Sequence, residues 1–101
     1  MKLTYLITTL ILLFAGAAAQ SADIEAGRAK SVTCIACHGK EGISPSPMWP
    51  NLAGQKEQYL KTQIIAFRDG SRKSAQMASM VAKLSDEDAA HLAAYYANLG
   101  K

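Results

Sequence analysis

The apolar positions of this chain fall into one mostly apolar run followed by three helical stripes. Leu3 to Phe14 is mostly apolar behind a short basic start at Met1-Lys2. Asp23 is a helix N-cap, and Ile24 to about Cys34 is predicted as the first helix. Gly27 in its interior costs about 1 kcal/mol relative to alanine, so a close helix contact is expected there. The stretch from Gly39 to Asn51 contains Gly42, Pro45, Pro47 and Pro50 and reads as a loop. Leu60, Ile64 and Phe67 recur at helical spacing between Gln55 and Asp69, and Gly70 follows as a stop. Ser71 to Lys83 is polar and reads as irregular. Ser85 then caps a last helix through Asn98, with Asp86, Glu87 and Asp88 in its first turn, where the helix dipole favours negative charge. Ala89, Leu92, Ala93, Tyr96 and Leu99 line one face of that helix. Nothing reads as a strand, so the expected fold is all-α with three main helices.

The apolar run at the start changes what counts as the domain. With Ala17-Ala18-Ala19 behind it, it has the form of a secretory signal cut after Ala19. It is short for a membrane span, which takes about 20 residues, so an uncleaved anchor is the lesser alternative. The expected domain is residues 20–101, only 82 residues. Loss of Lys2 leaves ten Lys/Arg against eight Asp/Glu, a net of +2. That is too little for a nucleic-acid reader, and no basic stripe interleaved with aromatics appears. A core this small usually needs a staple.

The chemistry is concentrated in Cys34-Ile35-Ala36-Cys37-His38, which holds both cysteines of the chain. Cys-x-x-Cys-His is the attachment signature of a c-type haem. Two thiols three positions apart can share a helical turn and each add to one haem vinyl group, and the adjoining His38 can ligate the iron. Two other readings compete. A redox dithiol of the thioredoxin type needs a strand before the motif and a βαβ context, and neither is present. A zinc site would have to recruit His91, 53 residues beyond His38. Haem is the working reading.

The chain also resembles small class I cytochromes c, and in particular one half of the two-haem periplasmic cytochromes c and their single-haem relatives. The resemblance rests on Ala26-Gly27, Cys34 to Gly39, Pro50-Asn51-Leu52-Ala53-Gly54-Gln55, Tyr59-Leu60 and Phe67-Arg68-Asp69-Gly70. It continues through the Met77/Met80 pair, Leu84 to Asp88 and Ala93-Ala94-Tyr95-Tyr96. It implies a class I cytochrome c fold around one covalently attached haem c, joined through Cys34 and Cys37. Because the chain stops at Lys101, one haem is expected, not two. In the family a proline carbonyl twelve residues after the haem histidine accepts its Nδ1–H; here that residue is Pro50. The family's sixth ligand is a methionine eight residues before the N-cap serine of the last helix, which here is Met77. Met80 is the alternative, and Met48 lies on the stretch that covers the proximal side. Gly27 is expected to face the Tyr95/Tyr96 region.

The function these features imply is single-electron carriage in the periplasm by a monomeric protein, with no span after signal cleavage and no catalytic role. His38 and Met77 would be the axial iron ligands. Redox partner proteins are expected, and Arg68, Arg72, Lys73 and Lys83 near the methionines would form a basic surface for an acidic docking face. The competing reading of those four is ordinary solvated charge. His91 is expected to face solvent, and Trp49, Leu52, Tyr59, Ile64, Phe67 and Tyr96 are the core candidates. The rival functions are a cytochrome subunit bound to a larger oxidoreductase, and a haem sensor or catalyst with an open sixth position.

Overall fold

Asp23 opens the first helix, α1 (Ile24–Lys30), its carboxylate accepting from the backbone N–H groups of Glu25 and Ala26 at 2.9 and 3.2 Å. In the computed structural model, which describes residues 22–101, that helix does not run unbroken to Cys34. It tightens into a 3-10 turn over Ser31–Cys34 and restarts as the short α2 (Ile35–His38). The sequence holds the reason for the break. The Ser31 hydroxyl donates back to the Arg28 carbonyl at 2.7 Å, and Val32 and Thr33 add β-branched crowding. Gly39 stops α2 directly after His38 at φ 85°, where a Cβ would fall on the Ile43 carbonyl.

The chain then crosses the predicted loop and enters α3 (Glu57–Asp69), which closes on Gly70 in the left-handed conformation. A further helix, α4 (Ala75–Val81), occupies the stretch expected to be irregular. Its cap is Ser74, whose hydroxyl accepts from the Met77 N–H at 3.1 Å. Last comes α5 (Asp86–Asn98), where Ser85 and Asp88 form a reciprocal capping box with both bonds at 3.0 Å. No strand occurs among the described residues. None of their helices is long and apolar enough to cross a membrane. The signal segment expected over residues 1–19 lies outside the described residues.

α5 is the centre of the packing, with α1 on one side and α3 on another. Its inward face is the expected one: Ala89, Leu92, Ala93 and Tyr96 are buried, joined by Ala94 and Ala97, and Leu99 packs half-buried beyond the helix end. Gly27 is where α1 and α5 touch. A Cβ there would fall on the His91 carbonyl oxygen and stand 2.8 Å from Tyr95 Cβ, so the expected close contact exists. Leu60 reaches the same cluster from α3.

Of the core candidates, only Tyr96 is buried. Leu52 and Ile64 pack half-buried against the cluster. Trp49 and Phe67 are half-buried, and Tyr59 is 47% exposed on the outer side of α3. The difference is one of helix phase: Leu60 takes the inward position of that turn, and its neighbour Tyr59 is turned out. Four of the eight buried apolar residues are alanines, so the interior supplied by protein atoms is thin.

Candidate haem site

The break after Lys30 places Cys34 and Cys37 on consecutive tight turns, both half-buried, both free thiols. Cys34 also packs against the core cluster. Burial pushes its thiol above the ordinary value, more than the nearby Thr33 and Tyr96 hydroxyls pull it down. The Tyr96 hydroxyl is buried beside Cys34 and Ser31 and completes a hydrogen bond with neither. Burial first, and then the neighbouring Cys34, hold that phenol far above its usual range, so it stays protonated.

His38 is buried, 6% exposed, and its Nδ1–H donates to the Pro50 carbonyl oxygen at 2.8 Å. A carbonyl can only accept, so the neutral ring carries its free lone pair on Nε2, oriented by the bond on its other side. The loop that brings Pro50 there is itself fixed. The Ser44 hydroxyl donates to the Cys37 carbonyl at 3.1 Å, and the Ser44 N–H donates to Asn51 Oδ1 at 2.7 Å. Leu52 and Ala53 N–H groups share the Gly42 carbonyl at 2.8 and 3.0 Å, and the Gly54 N–H reaches the Tyr96 carbonyl on α5 at 2.9 Å. These small polar contacts were not singled out from the sequence, although Ser44 and Asn51 are ordinary loop-fixing residue types.

Burial separates the methionines. Met77 is half-buried on α4, Met80 is 43% exposed on the same helix, and Met48 is 80% exposed on the loop. His91 is not a solvated surface group, contrary to expectation. Its side chain is 15% exposed, its Nδ1 accepts the Asp23 N–H at 2.8 Å, and its Nε2 faces Glu87 Oε1 at 3.3 Å. The ring is wedged between α5 and the start of α1, and both nitrogens have partners.

The basic residues near α4 divide into two kinds. Arg68 is engaged: its guanidinium pairs with Asp86 at 2.7 Å and Asp69 at 3.1 Å, and donates to the Leu84 carbonyl at 3.1 Å. Arg72 lies 4.5 Å over the Phe67 ring and donates to Gln63 at 2.8 Å. Lys73 and Lys83 are exposed and in no ion pair among the described residues.

A covalently held haem fits these residues. Two free thiols stand three residues apart beside an imidazole with an oriented Nε2 lone pair. Apolar side chains half-buried against the same core cluster as Cys34 (Leu52, Ile64, Leu84 and Leu99) suit the face of an apolar macrocycle. No group of three or more His, Cys, Asp or Glu side chains able to hold a metal ion occurs among the described residues, so the zinc reading has no site there. The dithiol reading finds no strand among the described residues.

Known proteins agree with the haem reading. The family described as cytochrome c oxidase, cbb3-type, subunit III matches residues 20–95. Cytochrome c-554(548) of Halomonas halodenitrificans is 49% identical over 79 residues, which cover 75% of this chain and 95% of that protein. Cytochrome c4 of Pseudomonas aeruginosa is 46% identical over 83 residues, 82% of this chain and 41% of that one. The crystal structure of reduced cytochrome c4 from Pseudomonas stutzeri superposes with a TM-score of 0.73 at 41% identity, covering 77% of this chain and 46% of that one. The chain thus spans less than half the length of these cytochromes c4, which carry two haems, and matches one of their domains. It belongs to the class I cytochrome c family, in the group of the cbb3-type subunit III domain, and haem c is its cofactor.

Proposed function

We propose that this chain is a periplasmic carrier of single electrons, with a haem c bonded to Cys34 and Cys37 and ligated by His38 and Met77. When bound, the haem supplies one-electron exchange between ferrous and ferric iron, and a Met/His ligand pair favours the reduced form. The chain's own residues do the rest. Cys34, packed against the core cluster, and Cys37 would hold the cofactor covalently, and Pro50 holds the His38 ring so that Nε2 points one way. Met77 is proposed over Met80 because it is the less exposed of the two and stands eight residues before the α5 cap. Residues 1–19 serve in this reading as a signal cut after Ala19, which delivers residues 20–101 to the compartment where partners meet it. Those partners are redox proteins, and Arg72, Lys73 and Lys83 carry the charges that no carboxylate pairs among the described residues and that can steer an acidic docking face.

The observation that carries the proposal is the His38 Nδ1 to Pro50 contact within a Cys-x-x-Cys-His turn. The test is a visible spectrum of the purified native protein, reduced and oxidised, with its mass. One covalent haem, a low-spin reduced spectrum and no response to carbon monoxide are expected. A high-spin spectrum with ready carbon monoxide binding would overturn carriage in favour of a sensor or catalyst.

A second reading has specific support, since the matching family is named for an oxidase subunit. In that reading the same electron chemistry runs while the chain is bound to a catalytic partner. Purification from the native source distinguishes the two: a carrier travels alone, a subunit co-purifies.

A further inference from the structure

We infer that Trp49 and Gln76 form a clamp that holds the methionine helix to the histidine loop, making both positioning residues for the sixth ligand. The Trp49 indole N–H donates to Gln76 Oε1 at 3.3 Å, across 27 residues of sequence. Each partner adjoins a residue that supplies or orients a proposed axial ligand. Trp49 precedes Pro50, whose carbonyl orients His38, and Gln76 precedes Met77. Among the described residues this is the only side-chain hydrogen bond joining α4 to another element. The remaining bonds of α4 close on its own cap Ser74 and on its own end at Leu84.

The path on the other side of the bond is rigid. Cys37 holds Ser44, Ser44 holds Asn51, and Pro50 between Trp49 and Asn51 holds His38. Apart from its packing on α3, a helix of only seven residues with a single buried side chain, Val81, has little else to keep it in place. Losing the clamp therefore frees α4 to open while the histidine side stays put. A thioether is a weak iron ligand held largely by its surroundings, so an opening helix carries its sulfur away from the metal.

This inference rests on the proposal that Met77 is the ligand, and the experiment keeps the two apart. In the holoprotein, Trp49→Phe removes the donor but keeps an aromatic ring, Gln76→Leu removes the acceptor, and Gln76→Glu retains an accepting oxygen. Two quantities are measured: hydrogen exchange at the Ala78 amide, which bonds to Ser74 inside α4, and the affinity of the ferric protein for added imidazole, which must displace the sixth ligand. Both should rise about two- to tenfold in Trp49→Phe and in Gln76→Leu, the range set by one neutral hydrogen bond. The double variant should rise no further, and Gln76→Glu should stay near the parent. Unchanged exchange, or faster exchange with unchanged imidazole affinity, would overturn the clamp, as would fully multiplicative effects in the double variant. Met77→Leu that keeps the sulfur-to-iron band would instead overturn the ligand assignment, with Ala78 exchange still measuring the clamp.

Discussion

Replacing Gly27 with alanine sets two well-understood effects against each other. Alanine in a helix interior is worth about 1 kcal/mol over glycine, so local propensity alone predicts a more stable protein. The contact with α5 predicts the opposite. The new methyl would fall on the His91 carbonyl oxygen, 2.6 Å from its carbon and 2.8 Å from Tyr95 Cβ. The first obstacle is backbone, which cannot rotate away as a long side chain would, so α1 must separate from α5. Overpacking costs about 1–3 kcal/mol, and a backbone clash belongs at or above the upper end. After the propensity gain, the net loss should be about 2 kcal/mol. For a domain of this size that lowers Tm by roughly 8–16 °C. Thermal unfolding of the ferric holoprotein followed by circular dichroism measures it. A Tm equal to or above the parent's would show that α1 and α5 are not in close contact, and the packing argument would fail with it.

Met77→Leu should abolish the sulfur-to-iron charge-transfer band of the ferric protein and lower its reduction potential. Met80→Leu should keep both and cost under about 1.5 kcal/mol; the reverse pattern would make Met80 the ligand. Ser85→Ala should cost about 1 kcal/mol through loss of the α5 cap, measured by denaturant unfolding near neutral pH. The Ser85 backbone N–H, and secondarily Lys30, hold the Asp88 carboxyl below its ordinary 3.8, so its stabilisation is present above about pH 4 and fades as pH falls further. Asp88→Asn should therefore flatten that acid limb, and an unchanged pH profile would argue against it. A Cys34→Ala/Cys37→Ala variant without haem should show no cooperative unfolding, since the buried apolar set is mostly small; a sharp thermal transition would contradict this.

The elements that were legible in the sequence are those whose signals are local and agree with one another. α5 has a capping serine, an acidic first turn and an apolar stripe, and it appears within a residue of its expected bounds. α3 has its stripe and its glycine stop. α4 was missed although Met77, Met80, Val81 and Leu84 stand at helical spacing, because that stripe is short and set among small and polar residues. Its helix comes from the Ser74 cap and from packing on α3, and the second of these is tertiary. The break at Ser31 was missed for a different reason. A serine bonding back to the preceding turn competes with the helix only where its hydroxyl is turned inward, and Ser31 is buried.

At the site, Cys34, Cys37 and His38 were legible because covalent chemistry dictates their spacing, whereas the partners that orient them come from far along the chain. Pro50 entered only through resemblance, and the Trp49–Gln76 and Asp23–His91 bonds span 27 and 68 residues. Arg68 shows the same limit on the surface. In sequence it is one more cation beside the methionines; in the fold, Asp86 and the Leu84 carbonyl draw its guanidinium across from α3 to the start of α5. Asp86 first, then Asp69, hold it more firmly charged, but a charge already paired contributes little field to an approaching partner. Arg68 therefore anchors the segment that carries α4 back to α5. Electrostatic steering is left to Arg72, Lys73 and Lys83, whose charges no carboxylate neutralises among the described residues, and a salt dependence of electron transfer should respond to charge reversal at those three residues.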